Sequence, residues 1–343
     1  MTFEQDLIRR HLPHLAARSQ GQGTPESETD VALLCAATAA VVRMDERLRA
    51  ASPAVRTGWR ARALLHEASA SARLDEAFTE AHDLLLMDHH ALDRLVDQDS
   101  QRAYQGLQML RAVSRRHPRQ LFTPRRLLAA ARVRFRDRTD APGYPEWLQE
   151  RRADPSEILD VLARALEPAA LAALRAEPAL KGALAFLALW HRSGAADVLG
   201  GAPGRALATA WLRRVGLIGD MSFLPAIGFI GYANDYQPGD RRRWPGNFLE
   251  AVLRAADWQL SLLERLVRAE QRFSEWAKPL RATSNISRLA EFVISSAAVS
   301  PRAAAEALHL SHATVRRLVG ELERKKLVRE ITGRDAFRLF AEA

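Results

Sequence analysis

The sequence predicts a mainly α-helical protein, with a multi-helix domain over residues 1–282 followed by a small winged helix-turn-helix over residues 283–343. Three observations point there. Ala, Leu and Arg dominate, β-branched runs are scarce, and apolar residues recur at spacings of three and four rather than in alternation. At 343 residues the chain exceeds the roughly 150 residues of one ordinary domain. Beyond Lys326 the helical pattern gives way to two short alternating segments around a Gly-containing turn, unlike anything before it.

Leu34, Ala37, Val41, Met44 and Leu48 form the first core-facing stripe, which ends before Pro53. Trp59, Ala63, His66, Ala70 and Leu74 mark a second helix over about residues 55–75, with further helices over about 79–97 and 100–116. Thr123 followed by Pro124 opens another, expected to run to about residue 136. A Pro- and Gly-containing break falls near 139–146, and helices resume at Asp154-Pro-Ser-Glu, at Pro168 and at Pro178. Gly200-Gly-Ala-Pro-Gly204 interrupts the chain ahead of a helix expected near Arg205. Residues 216–246 read as irregular, a long helix covers about 247–273, and Thr283-Ser-Asn-Ile-Ser forms the junction to the small domain.

That domain carries the sharpest signal. Pro301 starts a short helix whose Ala304 and Ala305 allow close crossing, and Leu308 and Leu310 fill the core beside the turn. Ser311 caps a second helix in which Val315, Leu318, Val319 and Leu322 form the buried stripe. The opposite face carries His312, Ala313, Arg316 and Gly320, and this is the face that a helix-turn-helix presents to the major groove. The wing strands are expected at 327–331 and 336–340, with Arg329, Arg334 and Arg338 clustered on them. Residues 301–343 hold nine basic against six acidic residues, a net charge of +3. The expected DNA contacts are therefore Ser311, His312, Ala313, Thr314, Arg316, Arg317, Arg329, Arg334 and Arg338, and the expected partner is double-stranded DNA.

Composition agrees with such a partner. A hydrophobic fraction of 48% and a charged fraction of 27% exclude disordered, collagenous and low-complexity classes, and the net charge of +9 favours a polyanion. The single Cys35 excludes an internal disulfide or a thiolate zinc site and is expected to be a small buried hydrophobe. No run approaches the roughly 18 apolar residues of a membrane span, and no signal sequence opens the chain, so the expectation is cytoplasmic without membrane association.

The ending Leu327-Val-Arg-Glu-Ile-Thr-Gly-Arg-Asp-Ala-Phe-Arg-Leu-Phe, with Ser287-Arg-Leu before it, resembles bacterial proteins that join a helical domain of unassigned function to a C-terminal helix-turn-helix. That resemblance implies DNA binding. The helical part also resembles Fic-type proteins, in which an early Ser-x-Ile-Glu-Gly segment precedes a His-Pro-Phe loop with Gly-Asn-Gly-Arg. Here the corresponding segments are Glu67-Ala-Ser-Ala-Ser-Ala-Arg-Leu-Asp-Glu76 and His191-Arg-Ser-Gly-Ala-Ala-Asp-Val-Leu-Gly-Gly-Ala-Pro-Gly-Arg205. They lack Ile-Glu-Gly, Pro-Phe and the Asn between glycines, so nucleotide transfer does not carry over. On that resemblance His191 would be a general base and Asp197 a metal-binding group.

Three further groups are weighed on their chemistry. Gly201, Gly204 and Arg205 at a helix start could hold an anion through exposed amides, although no Gly-Lys-Ser/Thr follows to make a Walker loop. His82, His89 and Asp93 share one helix face, more simply a solvated polar face than a ligand set, so no metal and no cofactor are expected. Residues 111–138 contain 10 Arg against the single acid Asp137, a density suited either to phosphate or to solvent. The function expected is a sequence-specific transcriptional regulator whose helical domain dimerises, senses a ligand or holds a partner. The alternatives are a Fic-like enzyme with a degenerate motif and a protein-interaction module.

Overall fold

A computed structural model describes residues 26–91, 97–130, 155–219, 223–278, 285–333 and 338–343. Helix α1 (Glu26–Ala50) turns its stripe inward, with Ala37, Val41, Met44 and Leu48 buried. Cys35 is exposed, which corrects the expectation of a buried thiol. In an Ala-rich run small residues occupy every face, so composition there does not say which side meets the core. Pro53 opens α2 (Pro53–Arg73), where the Ser52 hydroxyl accepts the Val55 amide and proline's missing N–H costs nothing.

α2 is buried along nearly its whole length and carries Arg62, Glu67, Ser69 and Ser71 inside with it. Buried polar groups need partners, and here distant segments supply them. Glu67 accepts the amides of Ala226 and Ile227 at 3.0 Å each, and Ser69 donates to the Thr79 carbonyl. α3 (Ala81–Asp88) is shorter than its sequence pattern. α4 (Gln98–Ser114) starts on the Asp97 side-chain cap and packs against α2. α5 (Pro124–Ala130) follows; residues 131–138 of the Arg-rich segment, the break near 139–146 and Asp93 lie outside the described residues.

α6 (Pro155–Ala165), α7 (Pro168–Ala176), α8 (Ala179–Arg192), α9 (Ala195–Leu199) and α10 (Ala202–Arg214) build the second half of the body. Phe122, Phe186, Trp190 and Trp211 form its aromatic centre, with Phe186 and Trp211 stacked at 6.5 Å. Short 3₁₀ turns at Ala226–Phe229 and Ala233–Asp235 then lead into α11 (Trp244–Ala277), which at 34 residues spans about 50 Å. α11 begins earlier than its apolar pattern because Pro245 suits a first turn and Asp240 accepts the amides of Arg242 and Arg243 ahead of it. Its stripe packs on α1, α2 and the first 3₁₀ turn. Gln259 on that stripe is fully buried, clamps both the amide and the carbonyl of Leu224, and offers its own carbonyl to the Trp59 indole.

α12 (Asn285–Ser295), α13 (Pro301–Leu308) and α14 (His312–Arg324) form the C-terminal unit, closed by antiparallel strands β1 (Val328–Glu330) and β2 (Phe340–Glu342). β2 lies further along than the expected 336–340. Phe340 exchanges both backbone hydrogen bonds with Val299 while pairing Glu330 on its other side, and that non-local pairing sets where the strand falls. The junction 279–284 is outside the described residues. α12 packs directly on α2 and α11, so close that a Cβ on Gly58 would sit 1.8 Å from the Ile294 carbonyl oxygen.

Candidate nucleic-acid interface

Two serine caps build the helix-turn-helix. Ser300 accepts the Ala303 amide at the start of α13, and Ser311 accepts the Thr314 amide at the start of α14. Between them His309 ends α13 in the left-handed conformation, at φ 55°, a position that usually calls for glycine. Arg288 of α12 donates to the Leu308 carbonyl and satisfies the frayed end of α13. Val315, Leu318, Val319 and Leu322 are buried as their spacing predicts.

The opposite face holds most of the expected contact residues. Ser311, His312, Ala313, Arg316 and Arg317 are exposed, while Thr314 is half-buried and shares its hydroxyl with Ser311 in the cap. Arg317 pairs with Glu321 one turn on, and Arg338 pairs with Glu323 at 3.3 Å while lying over the Phe340 ring at 5.0 Å. Among the described residues no ion pair engages Arg316 or Arg329. Exposed pairs such as Arg317–Glu321 are worth about 0.3–0.5 kcal/mol, so a phosphate can displace the glutamate at little cost. Arg334 lies outside the described residues.

The chain leaving β1 is held by Glu330, whose carboxylate accepts the Thr332 amide and hydroxyl and the Gly333 amide. Partial burial opposes its charge, but those donors and Arg338 hold its carboxyl below the ordinary range. Arginines from the body brace the unit from behind. Arg62 is 7% exposed, ion-pairs with Glu342 and donates to the Val293 and Ile294 carbonyls at the end of α12. Arg272 donates to the carbonyls of Lys326 and Ala343.

Of the other candidates, Arg205 lies against the C-terminal end of α2. Arg205 is 2% exposed, and its guanidinium reaches the Ser71 hydroxyl and carbonyl at 2.7 Å and Asp75 at 2.6 Å, with the Tyr236 ring 5.2 Å away. Asp75 also accepts the Ala202 amide at 3.2 Å, so the anion at the start of α10 is the chain's own carboxylate. α10 starts at Ala202 rather than near Arg205, because Pro203 fits its first turn. Gly204 serves packing, since a Cβ there would lie 2.6 Å from the Trp190 indole.

His191 is half-buried at the end of α8, 3.4 Å from the Tyr236 hydroxyl; burial and then Arg205 hold its imidazole below the usual range. Asp197 is exposed on α9. No metal-binding group of three His, Cys, Asp or Glu side chains is present among the described residues. Of the Arg-rich segment, Arg111 makes a two-pronged pair with Asp88 at 2.6 and 2.7 Å. Arg62 and Tyr236 carry no motif that would have singled them out, Asp75 lies unassigned within the segment compared with the Fic-type motif, and only contacts distant in sequence give the three their roles.

Comparison with known proteins bears on the C-terminal unit. A family model described as a helix-turn-helix DNA-binding domain matches residues 286–340. No curated protein matches the chain. Among solved structures, a Fic family protein from Desulfovibrio desulfuricans G20 is similar at 14% identity and a TM-score of 0.42, over 94% of this chain and 98% of that one. Among the described residues no helix is long and apolar enough to cross a membrane. The chain is thus a mainly helical protein that ends in a helix-turn-helix DNA-binding domain.

Proposed function

We propose that this protein is a sequence-specific transcriptional regulator of the winged-helix kind, in which α14 reads bases in the major groove and the β1–β2 hairpin is the wing. The observation that carries this is the outward face of α14: Ser311, His312, Ala313 and Arg316 are exposed together on a helix anchored by its own cap and buried stripe, and Arg316 has no ion-pair partner among the described residues. A guanidinium held on a rigid helix can form two hydrogen bonds to guanine O6 and N7, whereas Arg329 and Arg338 on the hairpin suit phosphate.

Retention of genomic DNA fragments on the protein at several salt concentrations, followed by sequencing, tests the proposal. A discrete site should be enriched, and affinity should fall as salt rises because each phosphate contact releases counterions. Retention without enrichment of any site would remove the base-reading role, and no retention at low salt would remove DNA binding altogether.

A further inference from the structure

A cavity of about 170 Å³ lies between α2, α4, α5 and the α9–α10 turn, walled mainly by apolar side chains such as Ala68, Leu110, Leu127 and Pro203, with Ser71, Asp75, Arg102 and Gln105 as its polar lining. A dry apolar cavity of about 150 Å³ holds a benzene ring. Two features make this one more than a packing gap. Gly106 stands in the middle of α4, where glycine costs about 0.5–1 kcal/mol relative to alanine, yet a Cβ there would meet nothing within 4 Å and its backbone is ordinary helix. Its missing side chain is part of the void. At the cavity's polar end, one carboxylate oxygen of Asp75 is held by Arg205 and the Ala202 amide, while the other accepts no hydrogen bond among the described residues. An ionised carboxylate only accepts, so a group completing it must donate.

α2 joins this cavity to the DNA-binding unit. Ala68, Ser71 and Ala72 line the cavity, while Gly58 and Arg62, about three turns earlier on the same helix, hold α12 and β2. We propose that the cavity is an effector site for a small molecule with a one-ring apolar body and a hydrogen-bond-donating head, and that α2 transmits its occupancy to the helix-turn-helix. The transmission rests on the regulator reading above; the binding does not.

Benzyl alcohol and benzylamine at millimolar concentration are the probes, with benzoate as the acceptor-headed control and toluene as the headless one. They are added to the full chain and read by thermal denaturation and by retention of the enriched DNA fragment. Both donor probes should raise the Tm more than toluene or benzoate does. Gly106→Leu should fill the void and abolish the shift, and Gly106→Ala, whose methyl meets nothing within 4 Å, should weaken it. No shift from either donor probe, or a full shift persisting in both variants, overturns the site. A saturating probe should change DNA affinity at least about fivefold, the lower end of common coupling; a Tm shift with unchanged affinity overturns the transmission. Should the protein retain no DNA with or without probe, the regulator reading fails, while the Tm series still decides the cavity.

Discussion

Three buried arginines of the helical body do work opposite to that of the exposed arginines of the helix-turn-helix. In the body Arg62, Arg205 and Arg254 are all under a tenth exposed and are tied to carboxylates, carbonyls or aromatic rings, Arg254 reaching the Gly228 carbonyl at 2.8 Å and lying over Tyr232. In the C-terminal unit Arg316, Arg317, Arg329 and Arg338 face solvent, and Arg316 and Arg329 have no ion pair among the described residues. The same side chain thus serves as an internal strut at those three body positions and as an available cation on the helix-turn-helix. Formal charge does not distinguish them; burial and partners do.

Removing a strut should have the largest effect. Arg205→Ala removes the donor from the Ser71 hydroxyl and carbonyl, leaves Asp75 with the Ala202 amide alone and empties a buried site, and should cost about 2–4 kcal/mol in chemical denaturation. Arg329→Ala should change stability by no more than about 0.5 kcal/mol. Similar losses for both would erase the contrast between the regions.

Glu67 sharpens the same contrast through pH. Burial raises its pKa to about 7, against the opposing pull of the Ala226 and Ile227 amides and of Arg205. A carboxyl whose folded pKa lies above its unfolded value of 4.5 binds extra protons in the native state between those values. Its contribution is complete below pH 4.5 and is lost as pH rises through about 7, on the order of 3 kcal/mol in all. Stability measured across pH 4.5 to 8 should show this fall, and Glu67→Gln should flatten it; an unchanged slope in the variant would assign the titration elsewhere.

The smaller effects concern DNA. Arg316→Ala should cost about 1–3 kcal/mol at the enriched site and relax preference at one base position. Arg329→Ala should weaken all sequences alike and lower the salt slope by about one unit. Equal losses on every sequence for both variants would mean that Arg316 does not read bases. Both proteins should melt like the parent, since neither side chain is buried.

Much of this organisation is local and therefore legible without coordinates. The stripes of α1 and α14 follow from spacings of three and four, and the cap Ser311 from a hydroxyl placed just ahead of an apolar run. The outward face bearing His312 and Arg316 is what the buried stripe leaves over. The sequence by itself determined these features because each depends on residues within a turn or two of one another. Tertiary structure alone decided that Asp75 meets Arg205, that Arg62 closes the end of α12, that Cys35 faces outward and that Phe340 is drawn to Val299. Those outcomes depend on segments more than a hundred residues apart in the first two cases and on which helix face the rest of the chain happens to cover, and neither is encoded in local spacing. Electrostatics and hydrogen bonding act across whatever gap packing leaves, so the role of a buried charge becomes defined only once the distant chain has closed around it.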